Sequence, residues 1–407
     1  MPKLTIDKVD VASMRVLMRV DFNVPIKDGV ITDDRRIRAA LPSIISVLER
    51  GGRVVLMSHL GRPAGEGHEP EFSLEPVAKR LTELLGDTLR GDVSFPSHDC
   101  VDGATTAAVN MLADGEALLL ENLRFHKAEK KGDDAFAAHL ASYGDVYCND
   151  AFGTCHRPHA SMVGVPHAMK GKPRCCGFLV AKEIEYLSET LREPRKPFVV
   201  VLGGAKVSDK LPAIEFLVPR ADAILVGGAM AYTFLKAQGV NVGASRVEED
   251  RLEDARRAIE LASDKGCDLL LPSDHLCSTK FHETDGDHKT CTGSIDDGFM
   301  GLDIGPDTRL KYQSVLRDAK TIVWNGPMGV FEWEMFAGGT KDVGIAIVEA
   351  TTNHATSIVG GGDSAAAAEQ FGIASELSHV STGGGASLEM LSGKAFESVD
   401  LLDDATS

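Results

Sequence analysis

Phe198-Val199-Val200-Val201-Leu202 runs directly into Gly203-Gly204-Ala205-Lys206. Five consecutive apolar residues with no polar alternation predict a strand buried on both faces, as in a parallel sheet covered by helices. The same pattern recurs downstream. Ala223 to Val226 leads into Gly227-Gly228-Ala229, Thr321 to Trp324 into Asn325-Gly326-Pro327, and Ser357 to Val359 into Gly360-Gly361-Gly362-Asp363-Ser364. Asp268 to Leu271 and Ser378 to Ser381 complete the set, the last before Gly383-Gly384-Gly385. Helical patterns such as Glu248 to Ser263 and Lys341 to Thr352 separate most of these runs.

Upstream the rhythm is the same with different punctuation. Strand candidates Val16 to Phe22, Arg53 to His59, Ala117 to Leu120 and Val146 to Cys148 alternate with amphipathic stretches at Asp33 to Arg50, Ser73 to Leu85 and Asp133 to Tyr143. Repeated β-α units predict an α/β protein with two doubly wound parallel-sheet domains of similar size. The Gly/Pro/Lys stretch from Pro166 to Pro173, the helix-like run Phe178 to Leu191 and Pro194-Arg195-Lys196-Pro197 place the boundary. The expected division is 1–173, a hinge helix and linker at 174–197, a second domain at 198–386, and a C-terminal segment at 387–407. Within that last segment Leu388 to Phe396 reads as one short apolar-faced helix.

A chain of 407 residues has ample length for two domains, and 43% apolar with 25% charged residues is ordinary for a globular protein. Lys and Arg number 43 against 60 Asp and Glu, a net charge of −17 with no basic patch, which argues against a nucleic-acid partner. No apolar stretch approaches the ~20 residues of a membrane helix, and Met1 to Val9 has no continuous apolar signal core. Eight cysteines without a framework spacing fit a reducing compartment, so a soluble cytoplasmic protein is expected. The polar stretch Thr284 to Asp297, with His282, His288 and Cys291 nearby, matches no metal-cage spacing and reads as an exposed loop.

In parallel α/β sheets ligands bind beyond the carboxyl ends of the strands. In the second half those ends are the glycine runs, which let backbone N–H groups and helix N-termini approach an anion. They read as a phosphate and nucleotide face. In the first half the same positions carry Asp21-Phe22-Asn23, His59-Leu60-Gly61-Arg62, Asn122-Leu123-Arg124 and His156-Arg157-Pro158-His159, with Arg36 opening the first helix. Clustered arginines suit a small anion bearing carboxylate or phosphate. An anionic substrate on one domain and a nucleotide on the other make a transferase the leading reading. A two-domain solute-binding protein and a different small-molecule kinase remain as alternatives. The spacing of a phosphate-binding P-loop is absent, as is a Gly-x-Gly-x-x-Gly after the first strand.

The chain closely resembles the phosphoglycerate kinase family at Arg19 to Pro25, Ser58 to Pro63, Glu121 to Phe125, Phe152 to Arg157, Gly203 to Lys210, Gly301 to Pro306, Trp324 to Pro327, Gly360 to Asp363 and Ser381 to Ser387. The resemblance covers residues 5 to 395 in the family's order. It implies magnesium-dependent phosphoryl transfer between 1,3-bisphosphoglycerate and ADP, giving 3-phosphoglycerate and ATP. By the same resemblance Asp21, Asn23, Arg36, His59, Arg62, Arg124 and Arg157 bind the phosphoglycerate. Lys206 and Lys210 attend the nucleotide phosphates and the transferred group, Glu332 the ribose, Asn325 the phosphates, and Asp363 the magnesium nucleotide. Gly203, Gly204, Gly227 and Gly228 border the nucleotide, while Gly361 and Gly362 face its phosphates. Ser364 stands where the family usually has threonine. The resemblance further implies a monomer, hinge closure, and a C-terminal tail that returns to the first domain. Arg36 and Lys206 are expected to balance charge on the group in flight; Cys155 beside His156 offers a rival nucleophile, which the family motif does not require.

Overall fold

The computed structural model describes residues 2–381 and 383–405, so Thr382, inside the Ser381 to Ser387 motif, lies outside the described residues. The chain divides into two compact units, 1–185 with 395–407, and 186–394.

The first unit is built on a parallel sheet of five strands: β1 (Arg15–Val20), β2 (Arg53–Met57), β3 (Ala117–Leu119), β4 (Val146–Asp150) and β5 (Arg174–Cys176). Their spatial order is β3-β2-β1-β4-β5. The register runs from Arg15 opposite Arg53 on one side of β1 and from Val16 opposite Val146 on the other. The central strands are buried apart from Arg15 and Arg53, which is why they are largely apolar, with Arg19, Asn149 and Asp150 the polar residues among the buried ones. Helix Arg35–Glu49 covers one face by burying Ile37, Ala40, Ile44, Val47 and Leu48, spaced three or four apart along one stripe.

Strand β5 has no counterpart among the expected strands. Arg174-Cys175-Cys176 is three residues at the sheet edge, too short for a periodic signal, and it falls in the stretch that reads as a linker. Helix Phe178–Ile184 belongs with this sheet, since Asp150 Oδ1 accepts the N–H groups of Leu179 and Val180 at 2.9 and 3.2 Å. Residues 395–405 also pack here. The Asp403 carboxylate takes Arg174 Nη2 at 2.7 Å, Leu4 donates its N–H to Asp403 O, and Ser398 Oγ donates to Cys155 O at 2.7 Å. The single helix expected over 388–396 is instead Gly385–Leu391 in the second unit and a separate turn, Glu397–Asp400, in the first. Gly393 separates them at φ +78°, against the ring of Phe216.

The second unit has a six-stranded parallel sheet and a three-stranded antiparallel one. In chain order the strands are β6 (Phe198–Leu202), β7 (Ala223–Val226), β8 (Asp268–Leu270), β9 (Asp274–Ser278), β10 (His288–Thr292), β11 (Met300–Ile304), β12 (Thr321–Asn325), β13 (Thr356–Val359) and β14 (His379–Val380). The large sheet is ordered β8-β7-β6-β12-β13-β14 and the small one β10-β9-β11. The small sheet replaces part of the loop expected at 284–297. Its strands carry His, Lys, Thr and Cys, and β10 is largely exposed, so it lacks the apolar pattern of a core strand. Trp324, Tyr312 and Phe336 anchor the unit's core, each fully buried.

Both large sheets reverse strand order beside their first strand, at β1/β4 and at β6/β12. Loops leaving the two strands at such a point go to opposite faces and open a crevice between them. All eight cysteines are buried and unpaired, and no helix among the described residues is long and apolar enough to cross a membrane.

Candidate functional site

In the first unit the strand ends meet around a buried arginine. Arg19, near the end of β1, is fully buried; its Nε donates to Ser161 Oγ at 3.0 Å, Nη2 to His59 Nδ1 at 3.0 Å, and Nη1 to the Val20 carbonyl. Ser161 in turn donates its hydroxyl to Glu129 Oε1 at 2.6 Å and its N–H to Oε2 at 2.9 Å. A buried guanidinium and a buried carboxylate thus share one serine, which offsets part of the cost of taking both charges out of water.

His59 is 3% exposed, and burial, then the charges of Arg19, Arg124 and Arg157, hold its pKa well below the ordinary value. Because Nδ1 accepts from Arg19, the neutral ring carries its proton on Nε2 and can donate from there. Burial pulls the Arg124 guanidinium down to about 10, with Arg157 and Arg19 adding repulsion, yet it stays charged at neutral pH. Its Nη1 donates to Gly61 O at 2.7 Å, while its buried Nε has no partner. A buried donor left open beside other cations is a position that an anion would satisfy.

Asn122 fixes this geometry. Its Oδ1 accepts from Leu60 N at 3.2 Å and Arg124 N at 3.1 Å, tying the loop after β2 to the loop after β3. Asn23 Oδ1 accepts from Gly61 N at 2.9 Å, and Arg36 Nη1 donates to Asp21 Oδ2 at 2.9 Å. Arg157 is half-buried and donates from Nε to His156 Nε2 at 3.2 Å. Arg62 is exposed and makes no ion pair among the described residues. The loops therefore bring Asp21, Asn23, Arg36, His59, Arg124 and Arg157 together on one sheet edge, with Arg62 at its rim. Arg19, Glu129 and Ser161 belong to the same assembly, although sequence reasoning gives them no role; His159, from the segment His156 to His159, joins them 3.7 Å from Glu129. A charged residue inside a strand carries no sequence sign of burial, and Ser161 lies 142 positions from Arg19.

In the second unit the glycines divide into two kinds. A Cβ on Gly203 would sit 2.0 Å from Pro327 O, and one on Gly326, at φ +106°, would sit 2.2 Å from Gly203 O. These residues are glycine because the loops after β6 and β12 touch through their backbones. Gly228 packs in the same way on Gly204, and Gly227 on Met328. Gly204 and Gly362 have nothing within 4 Å of such a Cβ, so the chain borders open space at both, although the Gly204 N–H is itself spent on Pro327 O at 3.1 Å; Gly361 precedes helix Gly362–Gln370.

Around these loops lies a cavity of about 510 Å³ lined by Gly204, Gly228, Phe281, Leu302, Val330 and Glu332, and reaching Asp363. Its walls are mostly apolar with carboxylates at the margin. Phe281 is 66% exposed and rests on Trp333 with centroids 4.8 Å apart. Phe281 escapes a sequence reading because its surroundings look like polar loop.

Lys210 donates to Asn325 Oδ1, and burial lowers the pKa of its ammonium. Asn325 is fully buried and its Nδ2 has no partner. Ser364 is also fully buried; its Oγ accepts the Gly326 N–H at 2.5 Å, so it braces the loop after β12 from behind. Lys206 and Asp363 are exposed, the latter in the first turn of helix Gly362–Gln370. Cys155 is fully buried, and burial pushes its thiol up to about 12, which removes it as a nucleophile at neutral pH.

A family model described as phosphoglycerate kinase matches residues 6–394. Among relatives, the chain is 56% identical to the phosphoglycerate kinase of Rhodopirellula baltica over the whole of both chains. It is 53% identical to that of Thermosipho africanus, covering 97% of this chain and 96% of the relative. Of solved structures, the phosphoglycerate kinase of Coxiella burnetii superposes with a TM-score of 0.89 at 39% identity, covering 98% of each chain. That of Pyrococcus horikoshii superposes with a TM-score of 0.81 at 32% identity, covering 99% of each.

Proposed function

The chain belongs to the phosphoglycerate kinase family, phosphotransferases with a carboxyl acceptor, and from that premise we propose how its residues perform the glycolytic transfer between 1,3-bisphosphoglycerate and ADP. The observation that carries the assignment of roles is the convergence of Arg36, His59, Arg124 and Arg157 on one sheet edge of a chain with net charge −17.

On this reading Arg124, Arg157, Arg62 and His59 Nε2 bind the carboxylate and phosphate ends of 3-phosphoglycerate, each charge-assisted bond contributing roughly 1.5–3 kcal/mol. Asp21 positions Arg36, and Asn23 positions the loop that carries Arg62. The adenosine part of the nucleotide lies against Phe281, Leu302 and Val330, with Glu332 at the ribose. The amide of Gly362 at the start of its helix, with Lys206 and Lys210, holds the phosphates, Gly204 lets the chain approach them closely, and Gly203, Gly227 and Ser364 support those loops. Charge in the transition state is spread over the equatorial oxygens of the moving phosphoryl group, so positioned cations are the main requirement. Arg36 and Lys206 supply them from the two units.

Magnesium fits the residues present. Asp363 offers a single exposed carboxylate in the first turn of helix Gly362–Gln370, and this ion usually takes one or two carboxylates, the substrate phosphates and water. Asp363 would hold it; when bound it neutralises polyphosphate charge. We further assign the protein to the cytoplasm, acting as a monomer on these small molecules, without nucleic acid or membrane.

The test is a coupled assay with purified protein, 3-phosphoglycerate and magnesium ATP. ADP formation that depends on 3-phosphoglycerate supports the reading; ATP turnover indifferent to it overturns the reading.

A further inference from the structure

We propose that His68, His98 and Glu121 form a binding site for one zinc ion on the first unit, separate from the arginine cluster. The three residues come from different chain segments, and one donor atom from each lies within 4.8 Å of the other two. The imidazole rings of His68 and His98 have centroids 4.4 Å apart at a tilt of 43°, and His68 Nε2 is 3.6 Å from Glu121 Oε2. Phe125 sets its ring edge-on against His68, centroids 5.3 Å apart, which limits where that imidazole can go.

Glu121 is already shaped as a ligand. Its Oε1 accepts from Leu74 N at 2.9 Å and Asn122 N at 2.7 Å, whereas among the described residues Oε2 accepts only from Ser73 Oγ, at 2.7 Å. One lone pair on Oε2 stays available toward the histidines, and the serine orients that oxygen as outer partners orient metal-bound carboxylates. Two imidazoles and one carboxylate are a donor set that zinc takes with a fourth position open to water. Imidazole selects zinc, copper and nickel over magnesium and calcium, so the site would not compete for the nucleotide's cation. Zinc bonds of about 2.1 Å at tetrahedral angles put donors about 3.4 Å apart. The two exposed rings can close that difference by small side-chain rotations.

A second cluster, Asp99, Cys100 and His126, lies along the same segment. It is the weaker candidate. Cys100 is 1% exposed with its thiol pushed up by burial, and His126 Nε2 is already 3.1 Å from Asp99 Oδ1.

The full chain, freed of metal with a chelator, is titrated with zinc by calorimetry, and separately with cobalt(II) followed by visible absorption. The expected results are one zinc per chain, tetrahedral cobalt bands without a thiolate charge-transfer band, and affinity at least ten-fold weaker in H68N and in H98N. C100S should bind as the parent does. Absence of saturable binding below millimolar zinc, unchanged affinity in H98N, or a thiolate band that disappears in C100S would each overturn the assignment. The cobalt spectrum of the parent protein decides the matter even should a variant fail to fold.

Discussion

Arg19 donates from Nη2 to His59 Nδ1 at 3.0 Å in the interior of the first unit, so the ring is held as one neutral tautomer. Its pKa is well below 6.5, and that of His159, buried beside Arg124 and Arg19, is pushed down to about 3. An unfolded chain takes up these protons near pH 6.5. Below that pH the unfolded state binds more protons, so the stability each histidine contributes is complete above 6.5 and is lost as pH falls toward its folded value. The limiting slope is about 1.4 kcal/mol per pH unit per group. Asp150 and Asp303, raised by burial to about 6 and about 7, act in the opposite sense, lowering stability as pH rises from about 3.8. The clean readout is therefore a difference. H159Q should reduce the gain in urea-unfolding free energy between pH 4 and 6 by about 1 kcal/mol per pH unit relative to the parent. An identical slope in the two proteins would mean that His159 carries a proton in the folded state.

The Arg36–Asp21 ion pair is partly exposed, so its loss should cost less than about 1 kcal/mol of stability. Its proposed part in catalysis is much larger. R36A is expected to unfold at nearly the parent temperature and to lose on the order of 10³-fold in kcat, the scale seen when a transition-state arginine is removed from a phosphoryl transferase. Near-normal turnover would take Arg36 out of the mechanism.

Ser364 makes a prediction that separates support from contact. S364A leaves the buried Gly326 N–H without its acceptor, a cost of about 1–3 kcal/mol. The loop that loosens lies on the face proposed for the nucleotide. KM for ATP should rise while KM for 3-phosphoglycerate stays within two-fold; equal changes in both would point to general unfolding.

A thiol at about 12 inside a buried pocket is inert, so C155A should keep at least half of the parent kcat. The folded protein should also resist a thiol reagent at all eight cysteines until denaturant is added. Inactivation by stoichiometric alkylation of Cys155 would reverse this view.

The proposed binding of the two substrates on different units predicts that the units draw together and exclude water during transfer. Small-angle scattering should register a smaller radius of gyration with 3-phosphoglycerate and a non-hydrolysable magnesium nucleotide together than with either alone. An unchanged value would argue against closure.

Much of this is readable from the chain alone, for a physical reason. Strands such as Phe198–Leu202 are buried on both faces, and burial on both faces writes itself as an uninterrupted apolar run. Their carboxyl ends then single out Asp21, His59, Arg124 and Arg157, which the structure gathers at one edge of the first sheet. What stays hidden depends on partners distant in sequence. Nothing near Arg19 announces that a serine at 161 and a histidine at 59 will enclose it. Glycine is ambiguous for the same reason: Gly203 and Gly204 are adjacent and alike in sequence, yet a Cβ on one would strike a carbonyl of another loop while a Cβ on the other would meet only open space. The strands at 274–304 are illegible because a small, half-exposed antiparallel sheet needs no apolar alternation.

The packing of residues 395–405 on the first unit has a consequence for biosynthesis. The ribosome makes the first 185 residues early, but the partners of Arg174 and Leu4 at Asp403 are translated only after the entire second unit. The amino-terminal half must therefore wait, incomplete at the edge beside β5, through the synthesis of some two hundred residues. Its final closure is a post-translational event that a nascent chain stalled before residue 395 could not perform.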